Sequence, residues 1–265
     1  MTWQNVLGRV AFSNCDPIFT SLDSKWKILP APPSWLTGHL LRKDCLCAPI
    51  PTADYAKHAE ELLLLPDLAI VSKGDVGSVL LFGSRAIEDM RDIALPSDSS
   101  TSVALLKWIL SKRDLDPKFL DSGPDINNML SKCDGALLIG DRALVAAREN
   151  PELIRLDLGS EWTKLTNLPM VFGVFAARKD SPLDILKMAQ NDMINQYRKF
   201  KSDDTFRNDV IAKSSDRLGF EGQRITEYFV DEVSNLLDND GVKGLELFLS
   251  DVCGLDSGPT WLMFD

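Results

Sequence analysis

Only two histidines, His39 and His58, occur in the 265 residues, which leaves no material for a histidine-rich metal site. Cysteine is also sparse. Cys15, Cys45, Cys47, Cys133 and Cys253 are odd in number and scattered, so reduced thiols are expected rather than a disulfide framework. Cys45 and Cys47 are two residues apart and would share one face of a strand, where they read as small core residues. Basic residues are outnumbered, 29 against 39 acidic ones, and the formal charge of -10 argues against nucleic acid and anionic membrane surfaces as partners. No apolar run is long enough to cross a membrane: residues 62–71 come nearest, and Pro66 and Asp67 interrupt them. Residues 1–12 have neither a basic segment nor an apolar stretch of signal-peptide length, so a cytoplasmic location is expected. Walker-type phosphate loops, Gly-x-Ser-x-Gly elbows, dinucleotide fingerprints and His-Glu-x-x-His are all missing.

What is present is an α/β rhythm. With 45% apolar and 26% charged residues the composition is that of an ordinary globular chain, long enough for two medium lobes or one large domain. Short apolar runs at 9–13, 26–29, 45–49, 68–72, 78–82, 92–95, 136–139, 153–158 and 171–177 read as strands. Helices are expected between them, with Ser34 capping 34–42, Thr52 capping 52–61 and Pro124 opening 124–132. Beyond Pro182 the period becomes helical, over 183–201, 205–217, 225–237 and 242–252, with no convincing strand. Two extended runs, 78–84 and 172–178, bracket the middle of the chain and could be the two crossings between lobes.

The polar residues of interest cluster where strands end, which is where open α/β sheets bind ligands. Asn14 follows the first strand and could offer an amide donor and acceptor to a substrate; equally, Asn14 or Asp16 could cap the helix begun by Pro17. Ser99, Ser100, Thr101 and Ser102 open a helix whose stripe is Val103, Leu106, Ile109 and Leu110. Their hydroxyls and the free amides of the first turn can hold an anion without adding charge, although capping accounts for one or two of them. Gly140 and Asp141 follow the run 136–139, Gly140 permitting close backbone approach and Asp141 acting as a cap or as a support for the cleft wall. Thr52 holds a fourth position of the same kind. Such neutral hydrogen-bonding groups suit a polyanionic organic molecule better than hydrolysis.

Five blocks in order carry a family resemblance: GRVAFSN (8–14), LLLPDLAIVSKGDVGSVLLF (63–82), TSVALL (101–106), DGALLIGDRAL (134–144) and DLGSEWTKLTNLPMVFGVFAARKD (157–180). Together they resemble the chorismate dehydratases of the futalosine route to menaquinone, while the helical last third matches loosely. The resemblance implies an α/β, two-lobed, type II periplasmic-binding-protein-like fold with a helical C-terminal region, divided as lobe I 1–85, lobe II 86–175 and a return to lobe I over 176–265. It implies a lyase that removes water from chorismate, a small-molecule substrate, to give 3-[(1-carboxyvinyl)oxy]benzoate, with no metal or organic cofactor. Asn14 is then expected at the reacting part of the ring and Ser99, Thr101 and Ser102 at a carboxylate. Thr52 and Ser78 are expected on the opposite wall, and Asp141 is expected as a substrate-binding residue. With no protein base in that set, the substrate's own enolpyruvyl carboxylate is expected to take the proton.

The sister dihydroxynaphthoate synthases resemble the chain too, but place a histidine in an Ile-Ile-His-Glu segment where this chain reads Ile139-Gly140-Asp141. A non-catalytic carboxylate-binding protein on the same fold is the reading of a different class. One departure from the dehydratase pattern is Asp16, acidic where an apolar or basic residue is expected.

Overall fold

The computed structural model describes residues 2–263. Its strands are β1 (Val6–Val10), β2 (Lys27–Ala31), β3 (Cys47–Pro51), β4 (Leu62–Ser72), β5 (Val79–Gly83), β6 (Asp92–Pro96), β7 (Lys118–Ser122), β8 (Gly135–Ile139), β9 (Ile154–Asp157), β10 (Met170–Arg178) and β11 (Ser234–Leu236). Runs that are apolar at every position, β3, β5 and β8, are buried on both faces, which requires cover on each side of the sheet. They assemble into a six-stranded sheet in the order β11-β4-β10-β3-β1-β2 and a five-stranded sheet in the order β7-β6-β8-β5-β9. Parallel pairs such as β1 with β2 and β6 with β7 demand crossover helices. The helix Asp16–Phe19 lies in the connection from β1 to β2, Pro33–Leu41 in that from β2 to β3, and Ser100–Ser111 crosses from β6 to β7. Among the described residues no helix is long and apolar enough to cross a membrane.

Sheet membership places both extended runs within strands. Residues 79–83 are a central strand of the second sheet, and 170–178 are a central strand of the first, so neither extended run is a connector. A boundary at 175 would cut β10, whose ladder with β4 runs on to Arg178. We propose that each sheet is the core of one lobe, with the chain crossing at 73–78 and 158–169 instead.

One carboxylate holds these two crossings together. Asp157, at the end of β9, accepts from Val76 N and Gly77 N in the first crossing (3.0 and 2.8 Å) and from Ser160 N (3.0 Å), where it caps the helix Leu158–Thr166 in the second. Gly159 permits the close approach. A Cβ there would lie 2.6 Å from both Gly74 O and Ser72 Oγ.

The final third departs from the helical expectation at one place. Helices Leu183–Ser202, Asp204–Leu218 and Asn239–Leu247 form, but the segment expected as a helix over 225–237 becomes the helix Gly222–Glu227, a π turn Tyr228–Glu232 and then β11. Ser234 and Leu236 pair with Val71 and Leu68 on the free edge of β4, so an available sheet edge overrides the local helical period. The edge strand β7 was also without a sequence signal, since KFLDS is mostly polar. Two expected caps are replaced: Pro32 and Pro51 occupy the N-cap positions where Ser34 and Thr52 were expected, and Asp125 caps Ile126–Leu130 through Asn128 N at 2.7 Å.

Replacing Asp157 with Ala strands three backbone amides and should lower the unfolding free energy by about 2–4 kcal/mol in urea denaturation. Asp157→Asn keeps an acceptor and should lose less. Burial is the largest influence on this carboxyl and raises its pKa above the ordinary value. Its ionisation therefore favours the unfolded chain. The stability of the unmodified protein relative to Asp157→Asn should fall as pH rises from about 4 through the folded pKa and stay level above it; a flat difference curve would contradict that.

Candidate functional site

A narrow cleft lies between the two sheets and is lined by residues of both. It opens where β1, β3 and β8 end. Val10, Ile50, Ile70 and Phe172 come from the first sheet and Val79 and Ile139 from the second, making apolar walls that could sandwich a flat ring. The polar lining consists of Asn14, Ser78, Ser99, Thr101 and Ser102, and none of the described lining residues is ionisable.

Each polar group has an identifiable support. Asn14 sits in a 3-10 turn between β1 and the helix Asp16–Phe19, and neither it nor Asp16 caps that helix, whose N-cap is Cys15. Its backbone oxygen accepts from Asn235 Nδ2 at 3.1 Å, while its Oδ1 is buried with no partner. Such an acceptor awaits a donor, because leaving it unpaired costs about 1–3 kcal/mol. Ser99 is the N-cap of the helix Ser100–Ser111, yet its side chain caps no amide. Ser99 and Ser102 are buried, and Thr101 Oγ1 accepts from Ala53 N across the cleft at 3.1 Å. Ser78 Oγ accepts from the Tyr228 hydroxyl at 2.9 Å.

Two expected site residues lie outside the lining. Thr52 is fully buried one residue beyond it and donates to Val171 O at 2.7 Å, so its hydroxyl joins β10 to the helix Thr52–Lys57. Asp141 is in the first turn of the helix Gly140–Glu149 and is not its cap; it accepts from Ser13 N at 2.9 Å and from Ser13 Oγ. It thereby ties the second sheet to the residue beside Asn14. Burial raises its carboxyl pKa, with the Ser13 hydrogen bonds opposing the shift. Gly140 lies between them with φ +61°, and a Cβ there would meet the Phe12 ring at 2.5 Å. Reading strand ends could not find Asn235, Tyr228 or Val233, which reach the cleft or its polar residues from the final third.

The acidic surroundings are neutralised locally. Asp16, which departs from the expected pattern, is buried outside the lining and bound by Arg9, by Arg217 at 2.6 Å and by Ser214 Oγ at 2.6 Å. Asp98 pairs with Arg142 at 2.8 Å and Glu232 with Arg224 at 2.9 Å. An anion in the cleft is therefore governed by hydroxyls and first-turn amides, each helix N-terminus contributing about 0.3–1 kcal/mol.

Residues 6–252 match the family model described as menaquinone biosynthesis. The chain is similar to the chorismate dehydratase of Thermus thermophilus, 30% identical, the match covering 96% of this chain and 97% of that protein. Among solved structures it is similar to a protein of Archaeoglobus fulgidus (TM-score 0.73, 18% identity, covering 94% and 97% of the two chains). It is also similar to a Candida albicans gene product with the generic periplasmic binding protein fold (TM-score 0.64, 14% identity, 98% and 97%). The aliphatic sulphonate binding protein of Escherichia coli is a third (TM-score 0.63, 12% identity, 92% and 90%). These likenesses show a periplasmic-binding-protein-like fold.

Gly140→Ala should lose about 2–4 kcal/mol of stability, from the positive φ and from overpacking against Phe12. Adding Phe12→Ala should return the steric part, so that Gly140→Ala costs less in that background. Urea midpoints of the two single variants and the double variant check this; equal costs in both backgrounds would contradict the packing account.

Proposed function

The chain belongs to the menaquinone-biosynthesis family, and we propose that it is a chorismate dehydratase, a carbon–oxygen lyase acting in the cytoplasm. The observation that carries this reading is a cleft with apolar walls, five neutral hydrogen-bonding residues and no ionisable lining group. Such a site can bind and orient a ring dianion but has no side chain suited to strong general-base work.

The reaction needs little else. Removing the proton from the ring carbon that bears the enolpyruvyl ether builds negative charge towards the ring carboxylate. The neighbouring hydroxyl departs and takes up that same proton, handed back from the carboxyl that removed it, leaving as one water, and aromatisation of the ring drives the step. The base in this scheme is the substrate's enolpyruvyl carboxylate. The protein's work is to hold that carboxylate against the proton and to stabilise the developing charge.

In this assignment Ser99, Thr101 and Ser102, with the first-turn amides, bind the ring carboxylate, where the charge develops. The unpartnered Asn14 Oδ1 accepts from the ring hydroxyl and fixes the leaving group. Ser78 donates from the wall formed by the first crossing. Thr52 and Asp141 support Pro51 and Ser13 without contacting the substrate. The sister synthase reading requires a histidine at position 140, where the positive φ and the Phe12 ring leave no room for a side chain.

Chorismate added to the purified protein should lose its cyclohexadiene absorbance as an aromatic product forms. Asn14→Ala should lower kcat by about 100-fold, and Thr101→Ala should lower kcat/KM by about tenfold or more. Binding without turnover would identify a receptor instead, and unchanged rates in both variants would remove the site assignment.

A further inference from the structure

We propose that Tyr228 is a positioning residue for the reaction, acting through Ser78, whose single hydroxyl proton it commits to the cleft. This rests on the chorismate reading and deepens it. Ser78 is 3% exposed and lines the cleft, and its Oγ has one proton to give and lone pairs to receive. The Tyr228 hydroxyl lies 2.9 Å from that oxygen. A phenol is more acidic than an aliphatic alcohol, so the phenol donates and the serine accepts. The serine proton must then point elsewhere, and the cleft is the direction that offers an anion.

The surroundings hold both partners in this arrangement. The Ser78 main chain is held in place, because its backbone oxygen accepts from Gly140 N at 2.7 Å, joining the first crossing to the end of β8. Tyr228 is wholly buried in the π turn Tyr228–Glu232, with the Phe229 ring 5.5 Å from its own and the Arg224 guanidinium 6.0 Å from its centroid. Burial also pushes the phenol pKa upward, so Tyr228 remains a donor across the working pH range. Seven residues on, Asn235 supports the Asn14 backbone by the same principle. A single segment of the final third thus orients one polar residue on each side of the cleft.

A double-mutant cycle in kcat/KM for chorismate tests this, using Tyr228→Phe, Ser78→Ala and the pair. Tyr228→Phe retains the packed ring and removes one oxygen, and kcat/KM should fall about tenfold, the scale of one hydrogen bond. In the Ser78→Ala background the same change should have no further effect beyond twofold. A purely structural role would give equal losses in both backgrounds and would overturn the proposal, as would an unaltered kcat/KM in Tyr228→Phe. Circular dichroism and urea midpoints of the variants separate loss of folding from loss of positioning. If the unmodified protein neither binds nor turns over chorismate, the function reading falls and takes this inference with it; turnover with an additive cycle removes only the role of Tyr228.

Discussion

The separation of the two sheets, and with it the width of the cleft, depends on how the chain crosses between them. Asp157 governs both crossings at once, because its two oxygens take amide hydrogens from Val76 and Gly77 on one side and from Ser160 on the other. The next residue along the first crossing is Ser78, so the same carboxylate that ties the hinge together also sets where a cleft hydroxyl begins. Gly159 completes the junction by allowing the two backbones to touch. Across the opposite side, Asp141 with Ser13 and Thr101 with Ala53 make the corresponding contacts between the sheets. The polar lining hangs from these few bonds.

A net charge of -10 and a dianionic substrate look incompatible until the charges are located. Asp16, Asp98 and Glu232 are each held by arginine, while Asp141 and Asp157 are turned onto backbone amides or a hydroxyl. What faces the ligand is neutral but strongly dipolar. This arrangement also serves the reaction, since charge shifts along the substrate during proton removal, and preorganised dipoles follow it without the reorganisation that water would need. A lysine or arginine in the lining would tie one carboxylate tightly in the ground state, which lowers KM without raising kcat.

The final third is more than a packing layer in this structure. Its helices cover the first sheet, and the segment from Tyr228 to Leu236 turns to pair β11 with β4, bringing Val233 to the cleft and Tyr228 and Asn235 up behind its lining residues Ser78 and Asn14. Local pattern could not reveal this, because the decisive partner is the unpaired edge of β4, more than 150 residues earlier. The same reasoning explains β7: its polar sequence carries no strand period of its own, and it exists because β6 offers a parallel edge.

Sequence alone determined the α/β alternation, the nine strands with continuous apolar or alternating runs, the helical character of most of the last third, and the family through its five ordered blocks. It also placed Asn14, Ser78, Ser99, Thr101 and Ser102 at strand ends and helix starts, where backbone groups are left free to meet a ligand. Tertiary structure decided which of these share a cleft. It gave Thr52 and Asp141 hydrogen-bond partners outside the lining, put the two extended runs inside separate sheets, and explained Asp16 by arginines lying close to it along the chain and far from it. A one-residue difference decides whether a side chain at a strand end faces the ligand or the neighbouring element, and that choice is made by close packing between segments distant in the chain.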